Sequence, residues 1–348
     1  MAITYHAGRR IQATSTDFAG TPAVSGGWKE IGRTTLGSAA DIITVSSLAD
    51  KRYLMCLFDS QNSGGVASFT RLGAGSVDSG SNYAYRPSSN GGADSTGTSV
   101  SYMNLLFQDG SYDAFGVQYI SNLASKEKLL IEHGVRQQAA GAATAPGRNE
   151  AVGKWVNTSS ALGTVSHYNI DTGSYNTGTE VVVLGWDESD THTTNFWEEL
   201  ASVDVSTGTS INSGTFTAKK YLWVQTYIDL TASNYDYRFN SDGTSSYCNR
   251  LSNNGGNDVT QLSQSYLFPN HGFGVFPHFE NMFIVNNASN EKLIISHTLG
   301  QGTAGAGTAP QRSERVGKWT NTSEQITDIN VATTGNVNRL IMKVWGSD

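Results

Sequence analysis

Acidic residues recur along this chain at a fixed spacing. Asp94 and Asp258, Glu127 and Glu291, and Glu150 and Glu314 each stand 164 residues apart, while Asp187 and Asp348 close two similar phrases. Paired carboxyl groups are the equipment of a glycosidase, which holds two of them ~5–9.5 Å apart across a cleft. Here Asp94 falls in a loop pattern, Glu127 at a strand start and Asp187 just past a strand, so turn and edge roles are expected instead. His133 and His297 recur at the same spacing. An imidazole can serve as acid, base or metal ligand, but each of these lies on an otherwise apolar strand face, and satisfied core or edge histidines are expected. The sequence has no G-x-S-x-G, no HExxH and no phosphate loop ending in Lys-Ser/Thr. "NSDGTSS" (240–246) lacks the spaced carboxylates of a calcium loop. No catalytic residue, cofactor or metal is therefore expected.

Aromatic side chains offer a different chemistry. Tyr83, Tyr85, Tyr247, Trp186 and Trp345 could stack on sugars in a lectin-like groove, but ordinary packing at strand ends is the favoured expectation. The sequons at Asn157 and Asn321 carry no chemical meaning without a secretory route.

These residues are positioned by a duplication. "APGRNEAVGKWVNTS" (145–159) and "APQRSERVGKWTNTS" (309–323) agree at eleven of fifteen positions. "NGGAD" meets "NGGND" and "KEKLLIEH" meets "NEKLIISH" at the same offset, with small offset changes toward the ends that mark loop insertions. The reading is an N-terminal arm (1–26), a first copy (27–187), a linker (188–195) and a second copy (196–348). Short runs rich in Val, Ile, Thr, Tyr and Phe, bounded by Gly/Ser/Asn clusters, predict strands, and no stretch shows helical periodicity. The expected fold is all-β, two tandem homologous β-sandwich (jelly-roll-like) domains behind an extended arm. In the "EKL" strand, Leu129, Ile131 and His133 share one face, while Leu130 and Glu132 take the other. Apolar residues on both faces predict a central strand. "GAATAPGR" and "GAGTAPQR" read as exposed loops, tied down by Arg148/Glu150 and Arg312/Glu314, with "VGKW" as the returning strand.

Composition narrows the partners. The 348 residues carry 38% hydrophobic and 15% charged side chains, with net charge −7. Low charge and many aromatics argue against disorder, and an acidic chain argues against nucleic acid as main partner. Cys56 and Cys248 occupy non-corresponding positions and are expected as buried free thiols. The N-terminus lacks the apolar region of a signal peptide, and no run is long enough for a membrane span. The arm carries Tyr5, Arg9, Arg10 and Ile11, a basic and partly apolar set suited to tethering on a neighbour.

The combination "SNYAYRPSSNGGAD…EKLLIEH…GAATAPGRNEAVGKWVNTS…GTEVVVLGWD", repeated in a second version ending "VWGSD", resembles a repeat domain of virion structural proteins of tailed phages and other environmental viruses. The resemblance covers nearly the whole chain. It implies a non-enzymatic particle component located on the virion, most simply a capsid decoration protein. Its implied partners are itself, as a homo-oligomer and conceivably a trimer, and other virion proteins such as the major capsid protein. Alternatives are a tail-fibre or receptor-binding protein recognising host-surface glycans, a double jelly-roll major capsid protein, and, from another class, a polysaccharide-degrading enzyme. The second copy departs from the pattern at "GNVNRL", which shortens the loop before its last strand.

Overall fold

A computed structural model describes residues 27–105, 111–187, 190, 195–231, 234–268 and 275–348. The arm residues Tyr5, Arg9, Arg10 and Ile11, and most of the linker, lie outside the described residues. Those described form strands and turns only.

The first repeat contains β1 (Lys29–Thr35), β2 (Ile42–Val45), β3 (Tyr53–Ser60), β4 (Asn62–Ser63), β5 (Ser68–Gly73), β6 (Tyr83–Ser89), β7 (Gly97–Val100), β8 (Ala114–Ser121), β9 (Lys128–Arg136), β10 (Gly147–Trp155), β11 (Thr164–Asn169), β12 (Ser174–Tyr175) and β13 (Glu180–Trp186). The second contains β14 (Glu198–Val205), β15 (Ser210–Asn212), β16 (Tyr221–Leu230), β17 (Tyr235–Phe239), β18 (Tyr247–Asn253), β19 (Val259–Gln264), β20 (Pro277–Val285), β21 (Lys292–Gly300), β22 (Gln311–Trp319), β23 (Ile329–Thr333) and β24 (Val337–Ser347).

Each repeat builds one eight-stranded and one three-stranded sheet. The large sheets run β1-β13-β3-β8-β9-β10-β6-β7 and β14-β24-β16-β20-β21-β22-β18-β19, and the small ones β2-β11-β5 and β15-β23-β17. The two orders match strand for strand. Among the described residues both large sheets end in unpaired edge strands, and neither closes into a barrel.

Side-chain alternation along the strands builds three cores. In β3, Leu54, Cys56 and Phe58 point to the small sheet of their own repeat, while Met55 and Leu57 point the other way. The second repeat has its own inner core around Trp319, Tyr247 and Ile294. A third core joins Met55, Leu57, Phe115, Val117, Val135, Val182 and Leu184 of the first large sheet to Tyr221, Phe283, Val285, Leu293, Ile295 and Val316 of the second. The layers run small sheet, large sheet, large sheet, small sheet. The large sheets are buried on both faces where they meet, which explains unbroken apolar runs such as "VVVL".

Most repeated polar letters serve each repeat separately. Lys128 and Lys292, both 0% exposed, donate to the Asn157 and Asn321 carbonyls at 3.0 and 2.8 Å. This links "EKL" to "NTS". Asn122 and Asn286 accept from the Leu162 and Ile326 amides, each at 2.7 Å. Asn90 and Gly91, at φ 52° and 69°, form the tight β6–β7 turn, and Asn254 and Gly255 repeat it at 53° and 73°. The glycine before Lys-Trp gives room to a side chain: a Cβ at Gly153 would lie 2.6 Å from the Met103 sulfur, and one at Gly317 2.4 Å from Leu267.

One carboxyl group sits badly. Glu132 is 0% exposed. Gln118 donates to its Oε2 at 3.0 Å, and its Oε1 has no hydrogen-bond partner. Burial raises its pKa to about 8. In the second repeat Ser296 takes this position and donates to Glu280, which also accepts from Tyr235 and Tyr237 at 3.0 and 3.1 Å. With the folded pKa raised, folding takes up protons between pH 4.5 and 8, so this group's contribution is greatest below pH 4.5 and fades as pH rises to 8. Replacing Glu132 with Gln is expected to raise stability by roughly 1–3 kcal/mol at pH 8 and by much less at pH 5, measured by urea denaturation at both values.

Candidate functional site: the contact between the repeats

The repeated charged residues converge where the repeats meet. The loop from Gln137 to Pro146, between β9 and β10, lies over β18, β19 and β22 of the second repeat. Lys318 of β22 has a side chain 0% exposed and pairs with Glu291 at 3.3 Å. It also donates to the Gln137 carbonyl at 3.3 Å and to the Ala139 carbonyl. Glu291 in turn accepts from the Gly141 amide. Thus the buried ammonium is held by carbonyls of the other repeat, while its carboxylate takes one amide from that repeat at Oε1 and the Lys318 charge at Oε2. Around them, Cys248 Sγ donates to the Thr144 carbonyl at 3.3 Å, Arg250 to the Pro146 carbonyl at 2.9 Å and the Ser263 amide to the Ala142 carbonyl at 2.9 Å.

Beside the loop sits a second ionic knot. Arg148 donates to Asp258 at 2.7 Å with side-chain exposures of 7% and 4%. It also pairs with Glu150 and reaches Glu314 at 3.8 Å. Burial works against the Arg148 charge, but Asp258 and Glu150 outweigh it and raise its pKa. His133 and His297 meet edge to face, with ring centroids 4.1 Å apart. Burial lowers both pKa values. That of His297 falls to about 3, with the His133 and Arg148 charges adding to the effect. Ligand atoms of His133, Glu150 and His297 lie within 4.8 Å of one another, the spacing of a loose cation site. The guanidinium of Arg148 already neutralises Glu150, so the group is built as an ion-paired contact.

Several expectations are corrected here. The "GAATAPGR" segment is not simply an exposed loop: Ala142, Ala145 and Pro146 are buried. Asp258 and Glu291 do stand in a turn and at a strand start, but both are spent on the contact, and Glu150 lies inside β10. Their counterparts Asp94 and Glu127 are 51% and 38% exposed, and Arg312, the counterpart of Arg148, is 64% exposed, whereas Glu314 joins the contact at 16%. The histidines are not separate core residues but partners of each other. The ion pairs Arg148–Glu150 and Arg312–Glu314 are present as expected, and both cysteines are buried free thiols.

The aromatic candidates do not gather into a groove. Tyr83 and Tyr247 are 1% and 0% exposed and offer no ring face to a sugar. Their hydroxyls are held by backbone instead, accepting from the Leu72 and Phe239 amides at 3.0 and 2.9 Å. Tyr85 packs against the first core. Trp186 stacks on Tyr53 at 5.5 Å, and Trp345 packs on Trp223 at 5.1 Å. Asp78 and Asp242, also 164 apart, escaped the sequence reading. Each accepts from the indole of the "GKW" tryptophan, Trp155 at 2.8 Å and Trp319 at 2.7 Å, and the shared offset was the signal for them.

No protein-family model matches the chain, and no curated protein matches it. Among solved structures, neisserial surface protein A is 7% identical, over 82% of this chain and 99% of that one, with a TM-score of 0.12. An outer membrane channel from Pseudomonas putida F1 is 10% identical, over 78% and 97%, with a TM-score of 0.13. Likeness at this level carries no argument. Among the described residues no helix is long and apolar enough to cross a membrane.

Two outcomes test the contact. Arg148→Met takes the nearer cation from buried Asp258, leaving it only Arg250 at 3.7 Å, and is expected to cost about 2–3 kcal/mol, while Arg312→Met costs less than about 0.5 kcal/mol, both by denaturant titration. The lowered histidine pKa values mean that unfolding takes up protons below pH 6.5. The contribution of the pair is therefore complete above pH 6.5 and falls as pH drops toward 3. Denaturation midpoints at pH 7 and 5 should differ less in His133→Gln/His297→Gln than in the parent chain.

Proposed function

We propose that this chain is a non-enzymatic structural protein of a virus particle, built of two tandem jelly-roll-like sandwich domains (27–187 and 196–348), most simply a capsid decoration protein. One observation carries the reading: in several recurring charged positions one of the two copies, as Arg148, Asp258, Glu291 and Lys318, is spent on a repeat-to-repeat contact. Arg148 on Asp258 and Lys318 on the 137–146 loop join surfaces. Of the repeated carboxylates, Glu150, Asp258 and Glu291 are engaged by cations at that contact, Asp94 and Glu127 are paired at the surface with Arg86 and Lys154, and Asp78 and Asp242 accept from indoles, which supports an assembly role over a hydrolytic one. The sequence resemblance supplies the particle. In this reading the arm tethers the protein to a neighbouring shell subunit, with Tyr5 and Ile11 as apolar anchors and Arg9 and Arg10 as charge contacts.

Co-sedimentation with purified particles tests it. The full chain is expected to pellet with particles, and a chain lacking residues 1–17 is expected to stay in solution while keeping its β-sheet circular dichroism. Failure of the full chain to bind, together with reducing-sugar release from polysaccharide, would overturn the reading in favour of an enzyme.

A further inference from the structure

The contact between the repeats uses opposite halves of the same surface. On the outward face of β9, Leu129 and Ile131 are 57% and 49% exposed, while Val135, further along, is 0% exposed. On β21 the gradient reverses. Leu293 and Ile295, the counterparts of Leu129 and Ile131, are 2% and 3% exposed, and Leu299, the counterpart of Val135, is 48% exposed. Neighbouring strands agree. Phe115 is 1% exposed against 44% for its counterpart Phe279, and Val152 is 48% exposed against 1% for Val316. A two-fold arrangement would bury the same half in both repeats. This contact is head to tail, so each half-surface buried inside the chain has an unfilled duplicate at the other end.

Both duplicates are furnished. The donor loop, "QQAAGAATAP" (137–146), recurs as "QGTAGAGTAP" (301–310). Gly141 and Gly305 have φ of 81° and 93°, so the turn that presents the amide to Glu291 is present in both. Pro146 is buried, whereas Thr303 to Pro310 are all exposed. The receiving face recurs as well. Lys318–Glu291 is matched by Lys154–Glu127, already paired at 2.9 Å but 44% and 38% exposed. Arg250 is matched by Arg86, and Ser263, at φ 48°, by Ser99, at φ 52°. The cross-repeat pair Arg148–Asp258 is matched by Arg312 and Asp94, opposite charges both at the surface.

We propose that a second copy of this chain fills these surfaces: the 301–310 loop and the Phe279/Leu299 patch of one chain dock on the Leu129/Ile131/Val152 face of the next, reproducing the intrachain contact between chains. Lys154 then donates to the carbonyls of Gln301 and Thr303, Glu127 accepts from the Gly305 amide, and Arg312 pairs with Asp94. Repetition of one heterologous contact gives a closed ring of repeats or, if the rotation does not close, a filament. The inference deepens the assembly reading but does not need a particle, and the two fail separately.

The test is association of the full chain alone, by sedimentation velocity up to roughly 100 μM, a range that spans weak interfaces. Assembly beyond the single 37.2 kDa chain is expected. Asp94→Arg, Arg312→Asp and Ile131→Asp should each weaken it at least ~10-fold, and the double variant Asp94→Arg/Arg312→Asp should recover it to within ~3-fold. All three positions are exposed, so melting of the dilute variants should match the parent. A chain that stays single at every concentration overturns the proposal. So does assembly that ignores all three substitutions, or single-site losses that the double variant does not restore. Particle binding by a chain that never self-associates would leave the virion reading standing and remove this one alone.

Discussion

Burial of the Lys318 ammonium sets the terms for the whole molecule. A charge with no exposed surface must find its donors' partners inside the protein, and Lys318 finds two in the 137–146 loop and one in Glu291. Without the loop the pair would lose its backbone partners and open to water, as Lys154 and Glu127 do. The loop's position fixes where β9 and β10 end relative to β21 and β22, and so which half of each large sheet faces the other. The third core fills that overlap. Its apolar residues supply the larger driving force, but the loop selects the register.

The same chemistry explains how near-identical segments take different roles. Lys154 and Lys318 stand in the same "VGKW" phrase, and each has a glutamate in reach. One pair is on the surface and the other is buried. The difference lies in what covers them. A head-to-tail contact inevitably leaves one donor and one receiver unpaired in a two-repeat chain. Retention of a ten-residue loop whose second version touches little else within the chain is a structural cost without a use, unless that version also docks.

The all-β architecture was legible in the sequence because alternation and turn residues act locally. The "EKL" strand faces and its central place followed from side-chain period, and the loop-to-strand reading of "APGR…GKW" from its Gly, Ala and Pro, though not the burial of that loop. The contact between repeats was not legible, for a physical reason. Leu129 and Leu293 occupy the same place in the same motif, so burial there depends on a neighbour the local letters do not name. Tyr83 and Tyr247 pack in the core, the ordinary packing that the sequence favoured over a sugar groove, though their complete burial with backbone-held hydroxyls was not legible locally. His133 and His297 were recognised as a recurring pair, but their meeting across the contact depended on sheet packing.

The central claim is that one loop is docked and its duplicate is free in the single chain. Amide hydrogen exchange on dilute protein measures this most directly. The account predicts strong protection at Gly141, whose N–H is bonded to Glu291, and at Ser263, whose N–H is bonded to Ala142, with fast exchange at Gly305. Equal exchange at Gly141 and Gly305 would contradict it.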